Sequence, residues 1–239
     1  MAGASTNRWL IIGESGSGKS RLAADLIDRY RRAGKRRHVV MLTLGAASES
    51  ELTRHARAVV ELDDDAAAQP ISYRALIEAE QRVLFEVTTV DPSPALERIA
   101  GAVMELGNTL IVIDEAAELV NQRAPQRVLS LWTRGRVRCV DIIAIAQSIK
   151  QRPALGLNAV AINRSTVLVA FQFSDSNELA DLRTRFPHTG DMIQALRSPR
   201  DGKAPEYAVR DALTGRECVY LREGPHIPQQ EATQWQPQP

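Results

Sequence analysis

Eight consecutive residues, Gly13-Glu14-Ser15-Gly16-Ser17-Gly18-Lys19-Ser20, satisfy the spacing G-x-x-x-x-G-K-[ST] at each fixed position. Each residue type has a task at a phosphate anion. Glycines let the main chain approach the anion, N–H groups of the loop and of a following helix N-terminus point at it, and Lys19 adds a positive charge. The Ser20 hydroxyl is suited to ligating Mg²⁺. The expected cofactors are therefore ATP and Mg²⁺, with the nucleotide surrounded by Gly13, Glu14, Ser15, Gly16, Ser17, Gly18, Lys19, Ser20 and Arg21.

A second set of groups lies further along the chain. Leu110-Ile111-Val112-Ile113-Asp114-Glu115 is a continuous apolar run closed by two carboxylates. Asp114 can join Ser20 in the Mg²⁺ shell, and Glu115 can polarise the water that attacks a γ-phosphate. That extra carboxylate points to hydrolysis coupled to mechanical work. Small-molecule kinases, by contrast, hold an acceptor and keep water out. Gln147 closes the apolar run Ile142-Ile143-Ala144-Ile145-Ala146 with an amide that can donate to the γ-phosphate or to the attacking water. A polar strand end facing solvent has the same pattern. Arg134, Arg136 and Arg138 surround Gly135 just ahead of that run. Phosphoryl transfer often takes an arginine from across a subunit interface, and position favours Arg136, although each of the three also fits a solvated surface residue. Arg164, Arg183 and Arg185 are weaker candidates for that task or for DNA contacts.

The elements that must position these groups follow from hydrophobic periodicity. Trp9 to Ile12 reads as a buried strand and Ser20 to Arg32 as a helix with Leu22, Ala23, Leu26, Ile27 and Tyr30 on one face, so the glycine loop falls between strand and helix. Val39 to Leu42, Val83 to Val87, Leu110 to Glu115, Ile142 to Ala146 and Val167 to Phe171 read as further strands. Ser48 to Leu62, Ala95 to Leu106, Gln126 to Arg134 and a segment from Ser174 or Asp175 to about Arg185 read as helices, with Pro70 to Ala79 a short amphipathic segment. Strands separated by helices predict a mostly parallel sheet covered on both faces, the α/β fold of a RecA-like P-loop NTPase. Tyr207 to Arg210 and Glu217 to Leu221 predict a small C-terminal hairpin, and the Pro/Gln-rich stretch from Gly224 a disordered or partner-bound tail.

The whole chain has 239 residues and a net charge of +1, enough for one sizeable domain and too neutral for a global attraction to nucleic acid or membrane. The expected organisation is one ATPase domain over 1–223, with its core over about 8–186, the hairpin extension over 187–223 and the tail over 224–239. Two distant cysteines and four scattered histidines indicate a reducing compartment without structural zinc. No apolar run approaches the length of a membrane span, and the start of the chain lacks the blocks of a signal peptide, so a soluble intracellular protein is expected. The run Arg29, Arg31, Arg32, Lys35, Arg36 and Arg37 fits either contact with phosphates or a solvated helix end.

The ordered set of motifs resembles the HerA/FtsK superfamily of DNA-pumping ATPases over roughly residues 8 to 186. The carriers are Gly13 to Ser20, Ile113-Asp114-Glu115-Ala116-Ala117-Glu118-Leu119, Gly135-Arg136, the strand ending in Gln147, and Val167 to Gln172. Within it the chain is most similar to the genome-packaging ATPases of tailless, membrane-containing viruses with double-jelly-roll capsids. The resemblance implies Walker A roles for Lys19 and Ser20, Walker B roles for Asp114 and Glu115, a sensor role for Gln147, and a subunit-interface role for Gly135-Arg136. It also implies a homo-oligomeric ring, usually a hexamer, on double-stranded DNA. Its setting would be the host cytoplasm or the virion, with a capsid or membrane-vertex protein as a possible partner. The tract Lys150, Arg152 and Arg164 is a pore candidate by the same resemblance. One departure is the sequence Ser148-Ile149-Lys150-Gln151-Arg152-Pro153, which puts the family's Arg-Pro pair several residues further from Gln147 than usual. A P-loop ATPase for protein export or filamentous-phage assembly and a small-molecule kinase are the competing expectations.

Overall fold

The computed structural model describes residues 6–44, 50–64, 71–149, 156–196 and 205–221. Seven parallel strands and an antiparallel hairpin make one sheet. The parallel strands are β1 (Arg8–Ile12), β2 (His38–Leu44), β3 (Ala58–Leu62), β4 (Arg82–Val87), β5 (Thr109–Ile113), β6 (Asp141–Ala146) and β7 (Val167–Phe171). The hairpin is β8 (Glu206–Asp211) and β9 (Arg216–Leu221), and the order across the sheet is β3-β4-β2-β5-β6-β1-β7-β8-β9. Every position of β5, β6 and β7 is buried. Continuous apolar runs demand that environment, because alternate side chains leave opposite faces and both faces must then be covered.

The cover consists of α1 (Lys19–Arg32), α2 (Tyr73–Glu80), α3 (Ser93–Leu106), α4 (Ala116–Leu119), α5 (Gln126–Arg134), α6 (Ala159–Arg164), α7 (Ser176–Arg185) and α8 (Pro187–Ala195). Leu22, Ala23, Leu26 and Ile27 of α1 pack with Ile11, Val112 and Ile143 on one face of the sheet. Ile99 and Val103 of α3 and Trp132 of α5 pack with Leu10, Ile12, Ile111 and Ile142 on the other. Successive residues of β1 thus feed two cores, and β1 is fixed from both sides.

Five elements differ from the sequence expectation. The helix expected over Ser48 to Leu62 is a 3-10 turn at Thr53–His55 followed by β3, with Ser48 outside the described residues. Ala58-Val59-Val60-Glu61-Leu62 is an edge strand because its β-branched residues pair in parallel with β4, from Ala58 opposite Val83 to Leu62 opposite Val87. The apolar run of β5 ends at Ile113, so Asp114 and Glu115 belong to the turn beyond it. Gly135 ends α5 without stopping the helical course, which tightens to a 3-10 turn over Gly135–Arg138. Helices α6 and α8 were not expected; α6 is short, and α8 begins at Pro187, where proline supplies a pre-set φ for a first turn instead of a stop. The tail from Gly224 lies outside the described residues.

One residue of the basic run has an interior task. Arg36 Nε lies 2.8 Å from Asp141 Oδ2, with side chains 5% and 1% exposed, and Asp141 Oδ1 accepts the Asn7 N–H at 2.6 Å. Arg29, Arg31, Arg32, Lys35 and Arg37 remain exposed. His38 and His55 are also interior, each 3% exposed. Burial lowers both imidazoles below the ordinary histidine range; Arg37 lowers His38 further, while Asp28 partly offsets the effect at His55.

Two stability predictions follow from these buried groups. Arg36→Ala leaves the Asp141 carboxylate buried without its cation and should cost about 3–5 kcal/mol, read as a lower denaturant midpoint. The unfolded chain binds protons at His38 and His55 more readily than the folded one. Unfolding free energy should therefore be level above about pH 6.5 and fall as pH drops from there to the lowered folded-state values, and His38→Gln with His55→Gln should flatten that slope.

Candidate nucleotide-binding site

The phosphate loop leaves β1 at Ile12 and enters α1 at Lys19. Gly13 is required for space, since a Cβ there would sit 2.7 Å from Phe171 Cβ and 2.8 Å from Ser17 Oγ. Gly18 caps α1 in the left-handed region at φ 96°. The first turn of α1 carries no acidic side chain, which leaves the positive end of the helix dipole to an anion. Ser17 Oγ is buried and has no hydrogen-bond partner among the described residues. Lys19 is 7% exposed and its Nζ donates to the Glu14 carbonyl at 2.7 Å. Burial lowers the Lys19 amine below its ordinary value, against the opposing pull of Glu115, Asp114 and Glu14. A half-satisfied ammonium, an orphaned hydroxyl and an open helix N-terminus fit a polyphosphate.

The acidic pair completes the same site. Asp114 Oδ2 accepts the Ser20 hydroxyl at 3.3 Å, and Oδ1 accepts the Glu115 N–H at 3.0 Å. Burial pushes the Asp114 carboxyl above the usual range, which is the environment a divalent cation relieves. Ser20 and Asp114 offer the hard oxygen donors that Mg²⁺ takes beside substrate phosphates. Glu115 itself sits in the left-handed region, at φ 51° and ψ 44°, where an L-residue is strained by roughly 1–2 kcal/mol. This bend between β5 and α4 aims its carboxylate along the strand ends. There Gln147 Nε2, at the carboxyl end of β6, donates to Glu115 Oε1 at 2.8 Å. β5, β6 and β1 are neighbours in the sheet, so the three strand ends meet at one place.

Three further residues enter the site without an obvious sequence signal. The Glu14 carboxylate accepts from the N–H and hydroxyl of Ser174, which leads into α7. Glu178 of α7 is 6% exposed and accepts from the Ser148 hydroxyl and the Ile149 N–H, directly after Gln147. Asp175 and Glu178 have capping-box spacing, and Asp175 caps the helix, accepting from Asn177 N at 2.7 Å and Glu178 N at 3.3 Å. A cleft of about 440 Å³ opens between these groups, lined by Glu14, Ser15, Glu115, Gln147, Ser148 and Glu178 among others.

The remaining candidates lie elsewhere. Arg21, the third residue of α1, is exposed. Arg134 and Arg136 are exposed and precede the amino end of β6, whereas Gln147 follows its carboxyl end. A six-residue strand spans roughly 20 Å, too far for either guanidinium to reach its own phosphate loop. Arg138 donates to the carbonyls of Met104 at 2.8 Å and Glu105 at 2.6 Å and so ties down the end of α3. Arg183 pairs with Asp191 at 3.1 Å, linking α7 to α8. Arg185 is exposed, and Lys150 and Arg152 lie outside the described residues. Among the described residues no helix is long and apolar enough to cross a membrane.

Known structures share this fold. The genome packaging NTPase B204 from Sulfolobus turreted icosahedral virus 2 in complex with AMPPCP matches with a TM-score of 0.69 at 15% identity, over 90% of this chain and 96% of that one. The same NTPase in complex with sulfate matches with a TM-score of 0.68 at 14% identity, over 90% and 95%. VirB4 of Thermoanaerobacter pseudethanolicus matches with a TM-score of 0.64 at 13% identity, over 94% and 91%. At such identities the likeness is one of fold, and it is the RecA-like α/β fold that the motif order implied. A comparison with curated proteins finds no match. The model of the AAA domain family matches residues 6–149, from the start of β1 past Gln147, and the chain belongs to that family of P-loop proteins.

Proposed function

We propose that the chain is a Mg²⁺-dependent ATPase that works in a homo-oligomeric ring, most simply a hexamer, and pulls double-stranded DNA as the packaging motor of a viral genome. The observation that carries the hydrolytic part is the Gln147 to Glu115 hydrogen bond beside a complete phosphate loop. The nucleic-acid part rests on the likeness to a genome packaging NTPase over nine-tenths of the chain. In this reading residues 1–223 act as one ATPase domain and 224–239 as its tail. The motor operates in the host cytoplasm or at the virion, where a capsid or membrane-vertex protein would receive it.

In this assignment Lys19, the loop N–H groups and the α1 N-terminus hold the β- and γ-phosphates, with Gly13 to Arg21 around them. Ser20 and Asp114 hold Mg²⁺, which supplies positive charge to the phosphate oxygens. A Glu115 carboxylate oxygen takes the proton of the attacking water as its oxygen bonds to the γ-phosphorus, and the bond to the bridging oxygen breaks to release ADP. Gln147 Nε2 keeps Glu115 in line and can shift to the γ-phosphate. Arg136, with Arg134 beside it, lies a strand length from its own loop and so serves the site of a neighbouring copy.

Steady-state hydrolysis with and without linear duplex DNA, over a salt series, tests the reading. Stimulation by duplex DNA that fades as salt rises is expected, because phosphate contacts weaken with counterion concentration. Hydrolysis indifferent to DNA at every salt concentration would exclude the DNA motor and favour a protein-moving one. Glu115→Gln should retain ATP and lose turnover by roughly 10²–10⁴-fold, and Lys19→Ala should weaken nucleotide binding itself. Full turnover in Glu115→Gln would remove Glu115 from the chemistry.

A further inference from the structure

A buried acid beside the cleft has no part in the hydrolytic assignment above. Glu178 lies in the first turn of α7 and is 6% exposed, at the end of the helix where the dipole favours negative charge. Its Oε1 accepts the Ser148 hydroxyl and its Oε2 accepts the Ile149 N–H at 3.4 Å. A carboxylate held away from water needs such donors. These two come from the residues that directly follow Gln147, so the acid grips the chain where the sensor amide is hung.

The grip matters because the sheet ceases to guide the chain there. Pairing of β6 with β1 ends at Ala146, opposite Ile12, and Gln147 lies beyond it and is exposed. Its Nε2 nevertheless reaches Glu115 Oε1 at 2.8 Å. A glutamine side chain has three torsions to fix, and where its amide ends up depends on how its backbone is aimed. On one side that backbone is held by β6. On the other it is held by Glu178 and by Ile149, which is 1% exposed in the apolar core. The same entry into α7 is tied to the phosphate loop, since the Glu14 carboxylate accepts from the N–H and hydroxyl of Ser174. Asp175 stiffens the turn between, accepting from the N–H groups of Asn177 and Glu178. One capped helix start therefore joins the phosphate loop to the segment after Gln147, and both border the same cleft.

We propose that Glu178 is a positioning residue for hydrolysis: it fixes the backbone after Gln147 so that the sensor amide stands against Glu115, with the Glu14–Ser174 contact fixing the same helix start to the phosphate loop. The proposal rests on the ATPase reading above and adds to it a residue that touches neither the nucleotide nor the attacking water. Glu178 acts through Gln147. Its loss should slow the chemistry and leave the phosphates bound, because Lys19, Ser20 and the loop N–H groups keep their places. A displacement of the amide by about 1 Å is enough for a large effect on rate.

The test is a cycle of Glu178→Gln, Gln147→Ala and the two combined, each followed by kcat and by affinity for a non-hydrolysable ATP analogue. Glu178→Gln should lower kcat by about 10–100-fold and leave that affinity within about twofold. In a Gln147→Ala chain, itself slowed, the same change should cost less than about twofold more, since no amide is left to position. An acid that only stabilised the fold would act equally in both backgrounds. Ser148→Ala removes one donor and no charge; it should show the same pattern at smaller amplitude, and it takes the place of Glu178→Gln in the cycle if that chain does not fold. With the unaltered chain active, independent losses in the double variant overturn the proposal alone. So does a normal kcat in Glu178→Gln, or an analogue affinity that falls as far as kcat does. Full turnover in Gln147→Ala also overturns it, and leaves the ATPase reading standing on Lys19 and Glu115. An unaltered chain that neither binds nor hydrolyses ATP overturns the ATPase reading and the proposal with it.

Discussion

Parallel pairing of β1 with β6 on one side and β7 on the other decides where everything else in the molecule falls. Ile12 stands opposite Ala146 on one neighbour and Ala170 on the other. The phosphate loop, Gln147 and the approach to α7 therefore leave the sheet at one level. The three loops at the carboxyl ends of β1, β6 and β7 are far apart in sequence. Their meeting is a consequence of register, and register is fixed because a one-residue slip would turn each buried side chain of β1 to the wrong core.

Around this frame the site is assembled from locally unfavourable choices. Asp114 is ionised with difficulty, the Lys19 amine is desolvated, Ser17 Oγ is buried without a partner, and Glu115 holds a left-handed backbone. Each would be costly in a protein designed only to fold. Two apolar cores, one on each face of β1, supply the stability that tolerates them. A bound polyphosphate with its cation would relieve three of the four at once, so the free energy of nucleotide binding and that of folding are linked at this spot.

Much of this was legible in the sequence because the signals were local. The phosphate loop, the doubly buried strands β5, β6 and β7, α5 and the C-terminal hairpin each follow from a motif or a period confined to a dozen residues. Reading failed where partners decide. Ala58 to Leu62 has an apolar spacing that a helix can also use, and only pairing with β4 makes it a strand. Arg36 sits in a basic run indistinguishable from a solvated one until Asp141 comes beneath it. Glu178 looks like half of a capping box, and the donors its carboxylate accepts from lie some thirty residues away in sequence, at Ser148 and Ile149.

The contact between Gly13 and Phe171 has a mechanical meaning. Phe171 closes β7, and its ring lies 5.4 Å from that of Tyr207 on β8, the strand that begins the C-terminal hairpin. Phe171 thus stands between the first glycine of the phosphate loop and the strand that opens the hairpin, closely approached by Gly13 and in ring contact with Tyr207. A pull on the hairpin would reach the first glycine of the loop through Phe171. In the motor reading proposed above, Phe171 would be a short lever arm between load and fuel.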